Sequence, residues 1–195
     1  MFEKIVQTDQ ELLLFFNGLH SPFGDVLMYW MTHLSFWLPF LVVLLWVLWK
    51  HYRKQFPLIA AAFLLSILLS DQTSVLIKNK VERYRPSHTA EIQDYLHLHQ
   101  SKNGEIYRGG KYGFVSSHAA NSFCVMVLCL YFFKPIKRRI VWIFPAWAIL
   151  FCYTRIYLGV HYPLDIVCGA LLGTSYGLLI LYLYRFVVGK MKVEK

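Results

Sequence analysis

Long apolar runs separated by short charged segments constrain this chain more than any other feature. The stretches 23–49, 56–78, 115–133, 140–157 and 162–188 could each cross a bilayer as a helix. With 57% of its 195 residues hydrophobic and only 16% charged, the chain holds more apolar side chain than an ordinary soluble core absorbs. Backbone polar groups in hydrocarbon need partners within their own segment. The expectation is therefore an all-α, polytopic membrane helical bundle of about five to six transmembrane helices, a single domain over 1–195. Pro39 and Pro145 fall inside two of the runs, where neighbouring helices can satisfy the freed backbone.

The segment 1–20 does not resemble a signal peptide, because its apolar run at 12–16 is short and acidic residues precede it. An amphipathic helix lying in the membrane interface is expected, the alternative being an extra short span that would move the N-terminus to the other side.

A formal net charge of +9 would suggest a nucleic-acid partner in a soluble protein. Here the basic residues gather at the ends of the apolar runs, so no nucleic acid is expected. One cluster is Lys50, Arg53 and Lys54; a second is Lys134, Lys137, Arg138 and Arg139; a third is Arg185, Lys190, Lys192 and Lys195. Five spans put all three clusters on one side, which the excess of cytoplasmic Lys and Arg makes the inner one. The N-terminus, the connection after Lys78 and the turn at 155–161 then lie outside. The connection at 78–111 carries seven Lys and Arg, against that rule, and part of this charge is expected to serve function. Cys124, Cys129, Cys152 and Cys168 all sit in apolar runs without disulfide or zinc spacing, and read as small buried side chains.

Against this background each buried charge is costly, about 2.5 to 3.5 kcal/mol on insertion scales. Asp71 is the first, at a spacing that points it along the helix face of Lys78; it either supports a polar site or caps local hydroxyls. If that helix persists, Lys78 and Arg85 stand two turns apart on one face, with Pro86 disfavouring continuation beyond; an ordinary basic membrane boundary would look the same. The polar connection 87–113 is too hydrophilic to span and long enough to close over a substrate. Its His97 and His99 are more simply a wetted loop face than a metal site. Ser116 or Ser117 can cap the next helix, whose free amides suit an anion, and His118 could protonate a leaving oxygen or be merely interfacial.

Arg155, His161 and Asp165 occupy the junction between the last two runs. Pro163 suits the first turn of a new helix, and the four-residue spacing of His161 and Asp165 would stack them on one helical face. A carboxylate against an imidazole holds one ring nitrogen protonated and leaves the other as nucleophile or base, although a structural hydrogen bond has the same spacing. Arg155 offers a planar fork suited to phosphate. Co-location decides between these readings: the topology delivers Lys78, Arg85, Ser116, Ser117, His118, Arg155, His161 and Asp165 to one membrane face, a cationic cup for a phosphoryl group.

The elements K-x6-R-P at 78–86, S-x-H at 116–118 and R-x5-H-x3-D at 155–165 resemble the three signatures of the type 2 phosphatidic acid phosphatase (PAP2) superfamily. The resemblance implies a helical membrane enzyme that removes phosphate from lipid phosphates or diphosphates without metal or other cofactor. His161 would be the nucleophile that becomes phosphohistidine, Asp165 would orient it, and His118 would protonate the leaving group and later activate water. Lys78, Arg85, Arg155, Ser116 and amides around Ser117 would bind the phosphate. Two signatures depart from the usual pattern: in the second, Val115 and Ser117 stand where Pro and Gly are common, and in the third Thr154 stands for Ser. The implied partners are a membrane lipid phosphate and the phospholipid bilayer, and the implied setting is a bacterial cytoplasmic membrane with the site facing outward. Undecaprenyl diphosphate is the favoured substrate, with phosphatidylglycerophosphate, phosphatidic acid and lipid A as alternatives. A lipid phosphotransferase and a small anion transporter are the rival functions.

Overall fold

The computed structural model describes residues 2–101 and 103–193. Its helices are α1 (Phe2–Asn17), α2 (Pro22–Met31), α3 (Leu34–Tyr52), α4 (Phe56–Val81), α5 (Ser117–Phe133), α6 (Ile143–Tyr157) and α7 (Pro163–Val193). Among the described residues three helical stretches are long and apolar enough to cross a membrane: Leu34–Val81, Ile140–Tyr157 and Pro163–Met191. The first holds both α3 and α4. Its backbone leaves the helical region at Arg53, and Leu44 and Leu48 before the break share a core with Ile59 and Phe63 after it. It is therefore a hairpin rather than one rod. The shorter α5, at 17 residues, rises about 25 Å and is the innermost helix, with nine buried residues.

The first apolar run divides differently from the expected 23–49. Ser21 caps α2 by accepting from the Gly24 amide, with Pro22 in the first turn. At the other end the Thr32 hydroxyl and the His33 ring both reach the Tyr29 carbonyl, and His33 is extended. These side chains take up the terminal carbonyl that a continuing helix would use, so the span begins at Leu34. The fourth helix also ends sooner than a helix through Arg85 would require. Glu82 is left-handed at its C-cap, and Arg83 to Arg85 are non-helical.

α5 and α7 make the closest helix pair, and the cause is a run of small residues at four-residue spacing. Gly169, Gly173 and Gly177 of α7 lie against Ser116, Ala120, Cys124 and Val127 of α5, so near that side chains at the first two would meet α5 carbonyls. Small residues at this spacing let helix backbones approach where lipid supplies no hydrophobic drive.

The two ends of the bundle differ. At one end a core of Phe132, Phe133, Leu48, Ile59 and Ile180 lies beneath the basic residues, and His51, Lys134 and Arg185 border one cleft. At the other end α1 lies across the bundle. Asp9 reaches Arg83 and Leu164, Leu13 packs on Ile92 and Tyr162, and Asn17 bonds the Tyr157 carbonyl. All these partners belong to that one end, so α1 is not a further span. The connection 87–113 sits on the same end: the Asn17 side chain pairs with the His97 backbone, and His97 Nε2 lies 2.9 Å from Asp25 of α2. Its His99 stacks on Tyr29. The thiols of all four cysteines are free.

Candidate active site

Lys78, Arg85, Ser116, Ser117, His118, Arg155, His161 and Asp165 all lie at the end covered by α1. Tyr162 precedes α7, and Asp165 in its first turn reaches back to accept the Tyr162 amide at 3.1 Å. This is the carboxylate half of a capping box. The same oxygen, Oδ2, is 3.3 Å from Nδ1 of His161. His161 lies in the turn before the helix rather than on it, so the pair forms across a helix start and not along one face as the spacing alone suggested. Both side chains are buried, at 1% and 0% exposure. With Nδ1 engaged by Asp165, Nε2 is the free nitrogen of the ring.

Burial, then the charges of Arg85, Arg155 and Lys78, hold His161 well below the ordinary histidine pKa, so the ring is neutral and nucleophilic at pH 7. The guanidinium of Arg85 donates from Nε to the Tyr112 carbonyl at 3.1 Å. Burial and the neighbouring Arg155 push its pKa down to about 10. Gly109 and Gly113 leave room for it: a side chain at Gly113 would come within 3.0 Å of Asp165 and 3.2 Å of Arg85. Gly109 has φ +67°, where glycine is favoured.

Arg155, in the last turn of α6, is the largest fully buried side chain, at 1% exposure. One nitrogen, Nη2, donates to the Tyr107 hydroxyl at 3.0 Å. Its Nε and Nη1 have no hydrogen-bond partner among the described residues. A buried guanidinium with unused donors is costly unless an anion completes it.

On α5, Ser116 is the cap and accepts from the Ala119 amide, while its own amide donates to the Asp165 carbonyl at 3.0 Å. Ser117 receives Lys78 Nζ and lies 2.6 Å from the Ser74 hydroxyl. His118 packs its ring on Phe151 at 5.4 Å, with Arg155, Arg85 and Lys78 as its charged neighbours and His161 close by. Asp71 accepts from Asn121 Nδ2 at 3.2 Å and makes no direct contact with Lys78, so it supports α5 from within the membrane. Among the described residues no group of three His, Cys, Asp or Glu side chains could hold a metal.

Three participants carry no motif that marks them in the sequence. Arg83, between Lys78 and Arg85, donates to Asp165 at 2.8 Å and to Asp9 at 2.7 Å, and its guanidinium stacks 4.0 Å from the Tyr162 ring. Asp9 is concealed in an amphipathic helix. Its one signal is that Asp9, Leu13 and Asn17 share a face at four-residue spacing, and all three are buried. Tyr107, on the polar connection, joins the site through Arg155.

A helical membrane protein whose spans converge on a neutral histidine among buried and half-buried cations defines a class: a membrane phosphohydrolase. The chain belongs to the PAP2 superfamily, whose family model matches residues 59–188. It is 37% identical over 194 residues to a lipid A 4'-phosphatase of Bacteroides thetaiotaomicron, covering 98% of this chain and 81% of that one. A lipid A 4'-phosphatase of Porphyromonas gingivalis is 32% identical over 188 residues, covering 94% and 76%. Among solved structures, LpxE of Aquifex aeolicus superposes with a TM-score of 0.68 at 26% identity, covering 88% of this chain and 93% of that one. The protein is a bacterial membrane lipid phosphatase, a hydrolase of phosphoric esters.

Proposed function

We propose that the protein removes a phosphate from lipid A, an acylated and phosphorylated glucosamine disaccharide, through a phosphohistidine on His161. The relatives named as lipid A 4'-phosphatases, one 37% identical across 98% of the chain, favour this substrate over undecaprenyl diphosphate. The chemistry rests on one observation: a buried Arg155 with Nε and Nη1 unpaired stands with Arg85 and Lys78 around a buried, neutral His161.

In this mechanism the phosphate ester enters between spans with its acyl chains in the bilayer. Arg155, Arg85 and Lys78 take its oxygens, together with amides at the start of α5. His161 Nε2 attacks phosphorus, forming the P–N bond as the P–O bond to the sugar breaks. The negative charge of the bound phosphate favours the protonated form of His118, which gives its proton to the departing sugar oxygen. Asp165 meanwhile holds Nδ1 and stabilises the charge that the ring acquires. His118, now neutral, takes a proton from water, whose oxygen attacks phosphorus as the P–N bond breaks, releasing inorganic phosphate and the free His161 ring. Fixed cations in a shielded site supply most of what phosphoryl transfer needs.

Basic residues of the three clusters, among them Lys134 and Arg185, lie at the end opposite the site; by the excess of Lys and Arg on cytoplasmic faces that end is cytoplasmic and the site faces outward. The test is phosphate release in detergent from lipid A, undecaprenyl diphosphate, phosphatidylglycerophosphate and phosphatidic acid, with His161→Ala as the blank. Fastest turnover of lipid A is expected. A clear preference for another member would overturn the substrate, and release by His161→Ala would overturn the mechanism.

A further inference from the structure

The N-terminal helix lies outside residues 59–188, the stretch matched by the family model, yet it sends a buried carboxylate to the back of the site. Asp9 is 5% exposed and both its oxygens are used. Oδ2 receives Nη2 of Arg83 at 2.7 Å, and Oδ1 receives the Leu164 amide at 2.8 Å. Leu164 is in the first turn of α7, so Asp9 supplies from another helix the acceptor that a helix start lacks. Arg83 in turn spans two carboxylates with separate nitrogens, Nη1 on Asp165 and Nη2 on Asp9, and lies flat on Tyr162. Asp165 is the group that faces His161 Nδ1.

We infer that Asp9 is a positioning residue for hydrolysis, holding Arg83 and the start of α7 so that Asp165 keeps the His161 ring in its attacking orientation. The inference rests on the roles proposed above for His161 and Asp165. The physical reason is geometric. A guanidinium with one carboxylate partner can pivot about that contact; with a second, fixed partner and an aromatic face beneath, it cannot. A chain of this kind acts on the ring orientation and leaves the phosphate-binding cations untouched. Its loss therefore falls on turnover rather than on substrate affinity.

The mere alternative is that the ion pair pins α1 to the bundle. Asp9→Asn, Arg83→Gln and the double variant separate the two, with kcat, KM and melting temperature measured in detergent on the fastest lipid of the panel. Asp9→Asn is expected to lower kcat about ten- to a hundredfold, as loss of an outer hydrogen-bonding partner does, with KM within about twofold. The double variant is expected to be no slower than Arg83→Gln alone, because both changes break one chain of contacts. Full kcat in Asp9→Asn, a loss carried by KM, or effects of the two changes that multiply would each overturn the inference. Should Asp9→Asn fail to fold, Arg83→Lys serves instead. It keeps the charge but cannot reach both carboxylates in the same geometry, so an undiminished kcat there counts equally against the role of Asp9. His161→Ala run alongside distinguishes the two ways of failing, since turnover surviving in it removes the nucleophile itself and not only its support.

Discussion

At the residue scale the site is governed by desolvation. Arg155 is buried deeply enough that a single unpaired donor is costly, and it keeps two, which is why the proposed function gives it a phosphate oxygen to hold. Arg155→Lys keeps the charge but not the fork. Loss of one charge-assisted hydrogen bond is worth about 1.5 to 3 kcal/mol, which predicts roughly a ten- to hundredfold fall in kcat/KM in a phosphate-release assay. The depressed pKa of His161 gives a pH prediction. Because the neutral form is favoured, the nucleophile stays available as pH falls through the ordinary histidine value of about 6.5, and it is lost only when pH passes below the depressed pKa. The acidic limb of the kcat/KM profile that reports the nucleophile should lie below pH of about 6.5. A limb at or above that value would mean that the ring is not desolvated as the structure shows it. His161 and Asp165 were legible as a pair because both are costly in an apolar chain and stand four apart. That they meet across a helix start was not, since helical spacing and a capping box put the same two residue types at similar separations.

At the scale of elements, the α5–α7 contact fixes how far the start of α5, with Ser116, Ser117 and His118, stands from His161 and Asp165. Gly173 faces the Ala120 carbonyl with no room for a side chain, whereas Gly189 has nothing within 4 Å. Gly173→Ala should overpack the contact, costing about 1 to 3 kcal/mol and lowering the melting temperature and the turnover together. Gly189→Ala, on the same helix, should leave both unchanged. Equal behaviour of the two variants in a thermal melt would remove close packing as the reason for this run of glycines. The glycines at 169, 173 and 177 were open to reading from the sequence, because small residues at this spacing have a known use between membrane helices. Which helix they would face was not, because nothing local names a partner. The break at Thr32 and His33 was hidden for a different reason. An apolar run measures hydrophobicity, and hydrophobicity continues through two residues whose side chains end a helix.

At the scale of the whole molecule, Lys134 and Arg185 lie at the end opposite the site, and the proposed outward-facing site rests on that separation of charge. A cysteine placed at the exposed Glu105 should react in intact cells with a maleimide that cannot cross the membrane, and one at the exposed Lys137 only after permeabilisation. The reverse pattern would turn the site inward.

The sequence by itself determined the class of fold, which cations would gather at one end of the bundle and the pairing of histidine with carboxylate. Each follows from the high cost of a polar group in hydrocarbon, which makes every such residue informative where it stands. Only the tertiary structure decided that Arg83 rather than Asp71 stands behind the site, that α1 closes it, and that Arg155 keeps donors in reserve. Those are contacts between segments as far apart as Asp9 and Asp165, and their geometry is set by how helices pack rather than by anything written within one of them.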